Sequence, residues 1–431
     1  MSRSTYALSE VINLIGGGTP KRSETAFWNG DIPWLSIKDF NNDSRYVENA
    51  EEYITRLGLE KSSTKLLDPG MLIISARGTV GKLAQLKSQM AFNQSCYGLD
   101  ANSEYLENDY LYYLLKIKIR ELESIAHGSV FDTITRETFN NIFVRIPPKK
   151  EQLAIVEILG ALDSKIELNQ KMNETLEEIA KTLFKSWFID FDPVRAKAEG
   201  RSTGLSKEIS DLFPNSFEDS ELGEIPTGWS VNNISKNFET TMGGTPSRKN
   251  KDFWEGEIEW INSGKLNDFP LNSCSEYISE AAVKNSSTKL AKRHSTLVGM
   301  VTEIGKDLIT FSDRDFYINQ SIVAIQPDDS IFPEFVYLYL KANSKRLYME
   351  QSGGAQQHIN KRIVNDFKIL LPDQNSLEKF KPYFGDIFSK ICLNSKQNIY
   401  LEEIRDLLLP KLISGELKIP DIQNLIGEAG I

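Results

Sequence analysis

The sequence has few of the residues that bind metal ions or form disulfide bonds. Its 431 residues include 3 cysteines and 3 histidines. The cysteines, Cys96, Cys274 and Cys392, lie far apart and form no Cys-x-x-Cys pair. We therefore expect neither a disulfide framework nor a cysteine-rich zinc site, and the scattered histidines do not indicate a metal centre.

Long apolar runs are also missing. No stretch of about 18 apolar residues occurs, so the sequence predicts no transmembrane helix. The first residues lack a basic region followed by an apolar core. They do not resemble a secretory signal, and a cytoplasmic protein is expected.

The net charge of −10 argues against a nucleic-acid partner if charge is averaged over the chain. The charge is unevenly distributed, however. Residues 1–150 hold 18 basic and 18 acidic residues, whereas residues 190–229 hold 4 basic and 9 acidic residues. Half of the excess acid therefore lies in one segment, and basic surfaces can form elsewhere.

The common catalytic motifs are absent. Gly81-Lys82 resembles the end of a phosphate-binding loop, but Ala76 and Leu83 stand where that loop needs Gly and Ser or Thr. No GxGxxG, HExxH or GxSxG occurs. Asp163-Ser164-Lys165 has a spacing seen in some nuclease sites, but we interpret it as a solvated helix face. The sequence therefore indicates no self-contained active site.

What the sequence does contain is a tandem duplication. Gly-Gly-Thr-Pro at 17–20 recurs at 243–246, and Ser-Ser-Thr-Lys-Leu at 62–66 recurs at 286–290. Asn-Gln-Ser at 93–95 recurs at 319–321. The matches keep their order, and their offset changes by only two residues. They predict two homologous halves of about 225 residues, because the period is too long for a solenoid repeat.

Each half divides in the same way. A segment with short strand-like runs, such as 72–75 and 321–325, also contains one aromatic helix candidate. A long helical segment follows it. The predicted organisation is a first mixed domain (1–149), a central long helix (150–189), an acidic linker with weak packing of its own (190–228), a second mixed domain (229–374), a distal long helix (375–417) and a C-terminal tail (418–431).

The long helical segments have apolar residues at alternating steps of three and four, which is typical of a coiled coil. Two asparagines interrupt each seam at matching positions, and Arg405 is a further exception. An asparagine at a seam position fixes register at a cost in stability. The two helices could therefore pair, although amphipathic helices packed on their own domains remain an alternative. The predicted seam residues are Leu162, Ile166, Asn169, Asn173, Leu176, Leu183, Ile387, Ile391, Asn394, Asn398, Leu401 and Leu408.

Loop-like stretches in both halves combine glycine with basic and amide residues. Lysine, arginine and backbone N–H groups suit phosphates, and asparagine, glutamine and arginine suit base edges. Each loop alone is as well explained by an exposed turn, and we interpret the recurring tryptophans Trp28, Trp34, Trp254 and Trp260 as core. The candidate DNA contacts are Lys21, Arg22, Arg77, Lys82, Asn93, Gln94, Ser129, Arg248, Lys249, Lys306, Asn319, Gln320, Gln356, Gln357 and Lys361.

Nearly the whole chain resembles the specificity subunits of type I restriction-modification enzymes. The resemblance depends on the duplicated GGTP…FW…W segment, PGMLIISARGTVGK (69–82) and the NQS tripeptide. It also depends on the helical segment 146–194 and the closing segment 402–417. Arg77, Gly78, Gly81 and Lys82 match the family's loop, whereas Val301 stands at the position of Arg77 in the second half.

The resemblance implies a mixed α/β fold with two recognition domains separated by two long helices that pair as an antiparallel coiled coil with pseudo-twofold symmetry. Each domain would read one half of a bipartite, asymmetric DNA site, and the helices would fix the unread gap. The chain would have no catalytic activity and bind no cofactor itself. It would dock two methyltransferase subunits that use S-adenosylmethionine to methylate adenine, and two motor-nuclease subunits that use ATP and magnesium.

Three alternatives remain open at this point. The chain could be a duplicated coiled-coil scaffold without a DNA role, which its acidic charge slightly favours. It could be a self-sufficient DNA enzyme, or the specificity subunit of a modification-only system. Sequence-selective, salt-dependent DNA binding would distinguish the DNA-specificity role from the scaffold.

Overall fold

The computed structural model describes residues 3–41, 44–127, 133–302, 307–328, 330–349 and 357–419. The chain forms two compact units. Unit 1 contains Met1–Leu168 together with Ile399–Ile431, and unit 2 contains Asn169–Asn398. Each unit therefore includes part of both long helices.

Unit 1 begins with short strands and helices and ends in the first half of a long helix. A short 3-10 helix, Thr25–Phe27, precedes its longest strand. Its elements in the described residues are β1 (Ser4–Ala7), α1 (Leu8–Val11), β2 (Ile12–Gly16), β3 (Trp28–Leu35), β4 (Tyr46–Val47), β5 (Glu52–Ile54), α2 (Arg56–Glu60), β6 (Leu66–Leu67), β7 (Leu72–Ser75), β8 (Leu83–Leu86), β9 (Met90–Phe92), β10 (Cys96–Ala101), α3 (Asn108–His127), α4 (Arg136–Asn140), β11 (Phe143–Ile146) and α5 (Lys149–Phe188).

The strands of unit 1 form two main sheets with orders β2-β10-β7-β8-β4 and β5-β3-β9-β6. Most neighbours are antiparallel, but β3 runs parallel to β9 and β4 runs parallel to β8. All four residues of β7 are buried, as expected for a continuous apolar run in a central strand. Helix α3 covers this core with the consecutive buried residues 110–115.

Unit 2 continues α5, contains the 3-10 helices Lys251–Trp254 and Ser263–Asn267, and includes the first part of a second long helix. Its further elements in the described residues are α6 (Asp192–Ala198), α7 (Lys207–Ser210), β12 (Phe217–Ser220), β13 (Gly223–Pro226), β14 (Ser230–Asn233), α8 (Ile234–Asn237), β15 (Thr240–Met242), β16 (Ile258–Ile261), β17 (Glu276–Ile278), α9 (Glu280–Asn285), β18 (Lys289–Ala291), β19 (Thr296–Gly299), β20 (Val301–Thr302), β21 (Ile309–Phe311), β22 (Phe316–Ile318), β23 (Ile322–Ile325), α10 (Pro333–Ala342), α11 (Ser344–Met349), β24 (Gln357–His358), α12 (Lys361–Asp366), β25 (Lys368–Leu371) and α13 (Gln374–Ser414).

The sheets of unit 2 repeat the topology of unit 1. Their orders are β15-β23-β19-β21 and β17-β16-β22-β18, and β16 again runs parallel to β22. A two-stranded pair, β14 with β25, matches the pair of β1 with β11. The duplicated sequence therefore folds into two copies of one mixed α/β scaffold, which confirms the predicted fold class.

The acidic segment 190–228 is not loosely packed, and the expectation of weak packing is wrong. It forms α6, α7 and the hairpin of β12 and β13. Val194, Phe213 and Ile225 in this segment are buried in the core of unit 2. The acidic composition of this segment reflects its exposed residues. A few well-spaced apolar residues decide whether the segment packs, and composition does not show where they lie.

The long helices predicted over 150–189 and 375–417 run over Lys149–Phe188 and Gln374–Ser414. In unit 1, Ile155 and Leu159 of α5 share a core cluster with Leu409 and Leu412 of α13. In unit 2, the rings of Trp187 and Phe380 lie 5.7 Å apart. Residue numbers rise along one helix as they fall along its neighbour, so the predicted antiparallel pairing is confirmed.

Candidate nucleic-acid interface

The repeated sequence motifs of unit 1 meet at one place in the fold. The N–H of Gly18 donates to the carbonyl oxygen of Phe92 at 3.0 Å, and Thr64 Oγ1 donates to the same oxygen at 2.7 Å. A Cβ on Gly17 would lie 2.1 Å from the carbonyl oxygen of Asn93. Glycine is therefore required here, because the two backbone segments approach too closely for any side chain.

Unit 2 repeats this arrangement. The N–H of Gly244 donates to the carbonyl oxygen of Ile318 at 3.0 Å, and Thr288 Oγ1 donates to it at 3.1 Å. A Cβ on Gly243 would lie 1.9 Å from the same oxygen. We call these two sites the motif clusters. They comprise residues 17–22, 62–65 and 93–95 in unit 1, and residues 243–248, 286–289 and 319–321 in unit 2.

An arginine sits over a tryptophan pair in the motif cluster of unit 1. The guanidinium carbon of Arg22 lies 4.0 Å from the ring centre of Trp28, whose ring meets that of Trp34 edge to face at 5.2 Å. Arg22 also forms a two-bond ion pair with Glu52, in which Nη2 lies 2.8 Å from Oε2. The hydrogen bond from Arg22 lowers the pKa of Glu52.

Arg248 has the same surroundings in unit 2. Its guanidinium carbon lies 3.4 Å from the ring centre of Trp254, and its Nη2 lies 2.7 Å from Oε1 of Glu276. Trp34 and Trp260 are buried, and their partners Trp28 and Trp254 are half-buried. A carboxylate therefore balances Arg22 and Arg248 alike, and the tryptophans pack beneath each of these two arginines.

The two predicted asparagine contacts form turns within the protein. Asn93 Oδ1 accepts a hydrogen bond from the N–H of Ser95 at 3.0 Å, and Asn319 Oδ1 accepts one from the N–H of Ser321 at 3.0 Å. Asn319 is 7% exposed. Both side chains therefore shape the loop that presents the next residue, as asparagine commonly does in turns.

That next residue is an exposed glutamine in both units. Gln94 Oε1 accepts a hydrogen bond from Thr19 Oγ1. Gln320 Oε1 accepts one from Thr245 Oγ1 at 2.5 Å. In each unit the amide oxygen of the glutamine already accepts a hydrogen bond from the threonine. The amide nitrogen Nε2 is therefore the group that can donate to a ligand.

Arg77 lies at the tip of the hairpin between β7 and β8 and is exposed. The hairpin is closed by Ser75 Oγ, which donates to the carbonyl oxygen of Thr79 and accepts from the N–H of Lys82. The Lys82 side chain is half-buried, and its Nζ donates to the carbonyl oxygen of Ile37 at 2.9 Å. Of these two candidates, only Arg77 is placed to meet a large ligand.

The other predicted contacts are more scattered. Lys21 and Lys249 are exposed, and Lys361 is half-buried at the start of α12. Gln357 pairs with Thr302 in the short sheet of β20 and β24. Ser129, Lys306 and Gln356 lie outside the described residues. DNA contact stays a prediction for all fifteen residues.

The helix seam brings the predicted asparagines together in unit 2. Asn169 Nδ2 donates to Asn398 Oδ1 at 2.8 Å, and Asn394 Nδ2 donates to Asn173 Oδ1 at 2.9 Å. Adding 225 to 169 and 173 gives 394 and 398, so the repeat relation exchanges the two pairs. Three of the four side chains, those of Asn169, Asn394 and Asn398, are buried.

The other predicted seam residues all lie at least partly out of solvent. Ile166 and Ile391 are buried. The half-buried members of the set are Leu162, Leu176, Leu183, Ile387, Leu401 and Leu408.

The interpretation of Asp163 as part of a solvated helix face is wrong. Asp163 is 8% exposed and accepts two hydrogen bonds, one from Tyr113 Oη at 2.5 Å and one from Arg405 Nη1 at 3.0 Å. Burial, together with the charge of Asp163, raises the pKa of Tyr113. The Asn169–Asn398 pair sets an antiparallel register that places 163 near 405, so this ion pair could have been found from the seam asparagines.

Arg45 extends this polar network into the β-sheet domain of unit 1. Its Nη1 donates to Tyr113 Oη at 3.0 Å, its Nε donates to Gln85 Oε1 at 2.9 Å, and it forms an ion pair with Asp109. Arg45 is 8% exposed. The buried network of Arg45, Tyr113 and Asp163 therefore joins the β-sheet domain to α5 through charged groups.

Among the described residues, no helix is long and apolar enough to cross a membrane, and no group of three or more His, Cys, Asp or Glu side chains could hold a metal ion.

The sequence matches a known protein family. The family model for the type I restriction modification DNA specificity domain matches residues 4–178 and again 226–399. The chain is 28% identical over 422 residues to the type I restriction enzyme MjaIX specificity subunit of Methanocaldococcus jannaschii, covering 96% of this chain and 93% of the relative. It is 32% identical over 337 residues to the HindI specificity subunit of Haemophilus influenzae, covering 68% and 72% of the two chains.

A solved structure has a similar fold. The crystal structure of the type I restriction-modification system S subunit from M. genitalium aligns over 96% of both chains with a TM-score of 0.51 and 14% identity. At this identity the likeness concerns the fold.

Proposed function

The chain belongs to the type I restriction modification DNA specificity family, and from that premise we propose that it selects the DNA sequence on which a type I restriction-modification complex acts. Each of the two β-sheet domains reads one half of a bipartite, asymmetric site. The relatives are named as specificity subunits, and the role of this chain is accordingly non-catalytic.

The observation that carries this proposal is one scaffold built twice with different loop sequences. Both domains have the same order of four strands in each main sheet, with β4 as an additional edge strand in unit 1, and the same motif cluster. The hairpin after β7 presents the exposed Arg77 in unit 1, whereas Val301 stands at that position in unit 2. A common scaffold with different residues at matching positions suits two domains that read different base sequences.

The paired helices set the spacing between the two half-sites in this proposal. Helices α5 and α13 have 40 and 41 residues. At 1.5 Å per residue, each is about 60 Å long. The buried asparagine pairs hold the two helices in one register, so the length of helix can act as a fixed measure.

The helices also offer a surface to partner proteins. In unit 1, the outer face of α13 exposes Tyr400 by 64%, Ile404 by 46% and Leu407 by 67%. Their spacing of four and three residues makes one apolar stripe, which we call the outer stripe. Exposed apolar stripes of this kind commonly mark protein interfaces. We assign the outer stripe to a methyltransferase subunit.

A pair of substitutions tests this assignment. Leu407→Glu should reduce the number of methyltransferase subunits that co-purify with the chain from two to one, because it places a charge in one buried contact. Leu153→Glu is the matched control, since Leu153 is also 60% exposed on a long helix and Glu378 stands at its repeat position. Equal retention of the methyltransferase by both variants would contradict the assignment.

The chemistry of the complex belongs to its other subunits in this proposal. Two methyltransferase subunits use S-adenosylmethionine to methylate adenine. Two motor-nuclease subunits use ATP and magnesium to cleave unmodified DNA. The chain itself holds neither cofactor.

The decisive experiment is a methylation map. The chain is expressed with the methyltransferase encoded beside it in a host free of DNA methylation, and the genomic DNA is sequenced with detection of modified bases. We expect methyladenine in both halves of one bipartite sequence, lost when the chain is omitted. A soluble complex that methylates nothing would favour a scaffold role. Methylation without ATP-dependent cleavage would indicate a modification-only system.

A further inference from the structure

Each motif cluster has a buried part whose repetition the fold explains. Gly18 accepts a hydrogen bond at its carbonyl oxygen from Trp34 Nε1 at 3.0 Å, and Thr64 is 2% exposed and bonded to Phe92. A Cβ on Gly17 would collide with the backbone of Asn93. Any substitution here would break packing or a buried hydrogen bond, so both copies must keep these residues.

Each cluster also has an outward-facing part whose repetition burial does not require, and the hydrogen bond from threonine to glutamine is the contact that its members share. Substitutions at exposed positions usually change stability by less than about 0.5 kcal/mol, so such positions are free to diverge. The two halves have diverged widely elsewhere, yet these outward-facing residues are identical. We call them the outer set: Thr19, Ser63, Lys65 and Gln94 in unit 1, and Thr245, Ser287, Lys289 and Gln320 in unit 2.

The contacts within the outer set leave hydrogen-bond donors directed outward. Thr19 occupies the amide oxygen of Gln94, so that Gln94 presents its Nε2 donor. Lys65 and Lys289 are exposed, and neither forms an ion pair with another described residue. Arg22 is different, because Glu52 balances its charge. The net positive charge of each outer set therefore comes from its lysine.

We propose that the outer set of each motif cluster binds the sugar-phosphate backbone of DNA and does so independently of base sequence. This inference rests on the proposed function. Ammonium, hydroxyl and amide N–H groups are the donors that proteins use on phosphate oxygens. Identical side chains on two domains cannot distinguish two different half-sites, whereas the phosphate backbone is the same at both.

The inference assigns different tasks to different parts of one domain. The outer set binds the sugar-phosphate backbone of the DNA and fixes the orientation of the domain on the duplex. Base reading is left to residues that differ between the units, such as Arg77. The salt dependence of binding then comes in part from one lysine in each unit.

The test uses the full chain in complex with its methyltransferase and two duplexes of equal length. One duplex carries the sequence found by the methylation map, and the other carries a scrambled sequence. Dissociation constants are measured across a series of salt concentrations for the unmodified chain and for the double variant Lys65→Ala/Lys289→Ala. Removing two phosphate contacts should reduce the slope of log K against log salt by about 1.8.

The double variant should bind both duplexes more weakly by the same factor, roughly fivefold for each lysine at physiological salt. Its preference for the specific duplex and its methylated sequence should stay unchanged. The amide variant Gln94→Ala/Gln320→Ala should bind both duplexes more weakly by the same factor. The slope of log K against log salt should not change. Lys207→Ala is the control, because this exposed lysine lies in the acidic segment and is paired with Asp211; it should change neither slope nor affinity.

Three results would overturn the inference. If the lysine variant kept the DNA affinity and the salt slope of the unmodified chain, the outer set would not bind DNA. A changed methylation motif would show that it reads bases. Loss of the methyltransferase from the purified complex would make it a protein-docking surface. Each is distinct from failure of the proposed function, in which the unmodified chain itself would show no sequence-selective binding.

Discussion

Removing the carboxylate of Asp163 should destabilise unit 1 and leave unit 2 intact. Asp163 accepts hydrogen bonds from Tyr113 and Arg405, and the side chains of Asp163 and Arg405 are only 7% and 13% exposed. Asp163→Ala leaves a tyrosine hydroxyl without its acceptor and a guanidinium without its buried counter-charge. Both groups are too enclosed to regain full hydration.

The size of the effect follows from what remains around Arg405. Breaking a buried ion pair by removing one partner costs about 3–5 kcal/mol. Arg405 keeps a second carboxylate, Asp406, whose Oδ1 lies 2.9 Å from its Nε. We therefore expect the lower end, about 3 kcal/mol. Asp406→Ala is the matched control: its side chain is 65% exposed, and its loss should cost less than about 1 kcal/mol.

Unit 2 supplies a second control from the same chain. The repeat positions of Asp163 and Arg405 are Phe388 and Ala180, which are buried in an aromatic core. The double variant Asp163→Phe/Arg405→Ala removes both charges together and copies that pair. Replacing both members of a buried pair with apolar groups is far less costly than removing one. It should therefore be more stable than Asp163→Ala, even though Tyr113 stays without its acceptor.

Urea unfolding gives the total change in free energy, and hydrogen–deuterium exchange with mass spectrometry locates it. Peptides from 149–168 and 399–414 should lose protection in Asp163→Ala, whereas peptides from 169–188 should keep it. The reasoning would be refuted by an Asp163→Ala variant as stable as Asp406→Ala. Equal loss of protection in both parts of α5 would show that the network does not act within unit 1.

Three further predictions concern the seam, the glycines and the length of the helices. Replacing Asn169, Asn173, Asn394 and Asn398 together with leucine should raise stability but allow other registers or oligomers, visible as several species by native mass spectrometry. One species would contradict a register role. Gly385→Ala should stabilise the chain by about 0.8–1 kcal/mol in thermal or urea unfolding, since its Cβ meets no atom within 4 Å. Gly243→Ala should destabilise it by more than about 1 kcal/mol, because its Cβ would collide with the carbonyl oxygen of Ile318. Deleting one heptad from both long helices shortens each helix by about 10 Å. The unread gap in the methylation map should then be about three base pairs shorter. Altered half-sequences would disprove the measuring role of the helices.

The sequence alone determined the features that depend on local pattern. The apolar period of the long helices predicted α5 and α13, and the run at 72–75 predicted β7. The ordered repeats predicted two copies of one domain, because a shared fold preserves the spacing of its required residues. These signals are readable because they depend on neighbours three, four or a fixed number of residues apart.

Only the tertiary structure decided which side chains meet across long distances in the sequence. It placed Asp163 against Arg405, turned Asn93 inward and Gln94 outward, and paired Arg22 with Glu52. Composition cannot show this, because burial and charge pairing depend on the register of helices and strands that come from distant segments. The same reason explains the acidic segment 190–228, whose few apolar residues pack only because the rest of unit 2 provides their core.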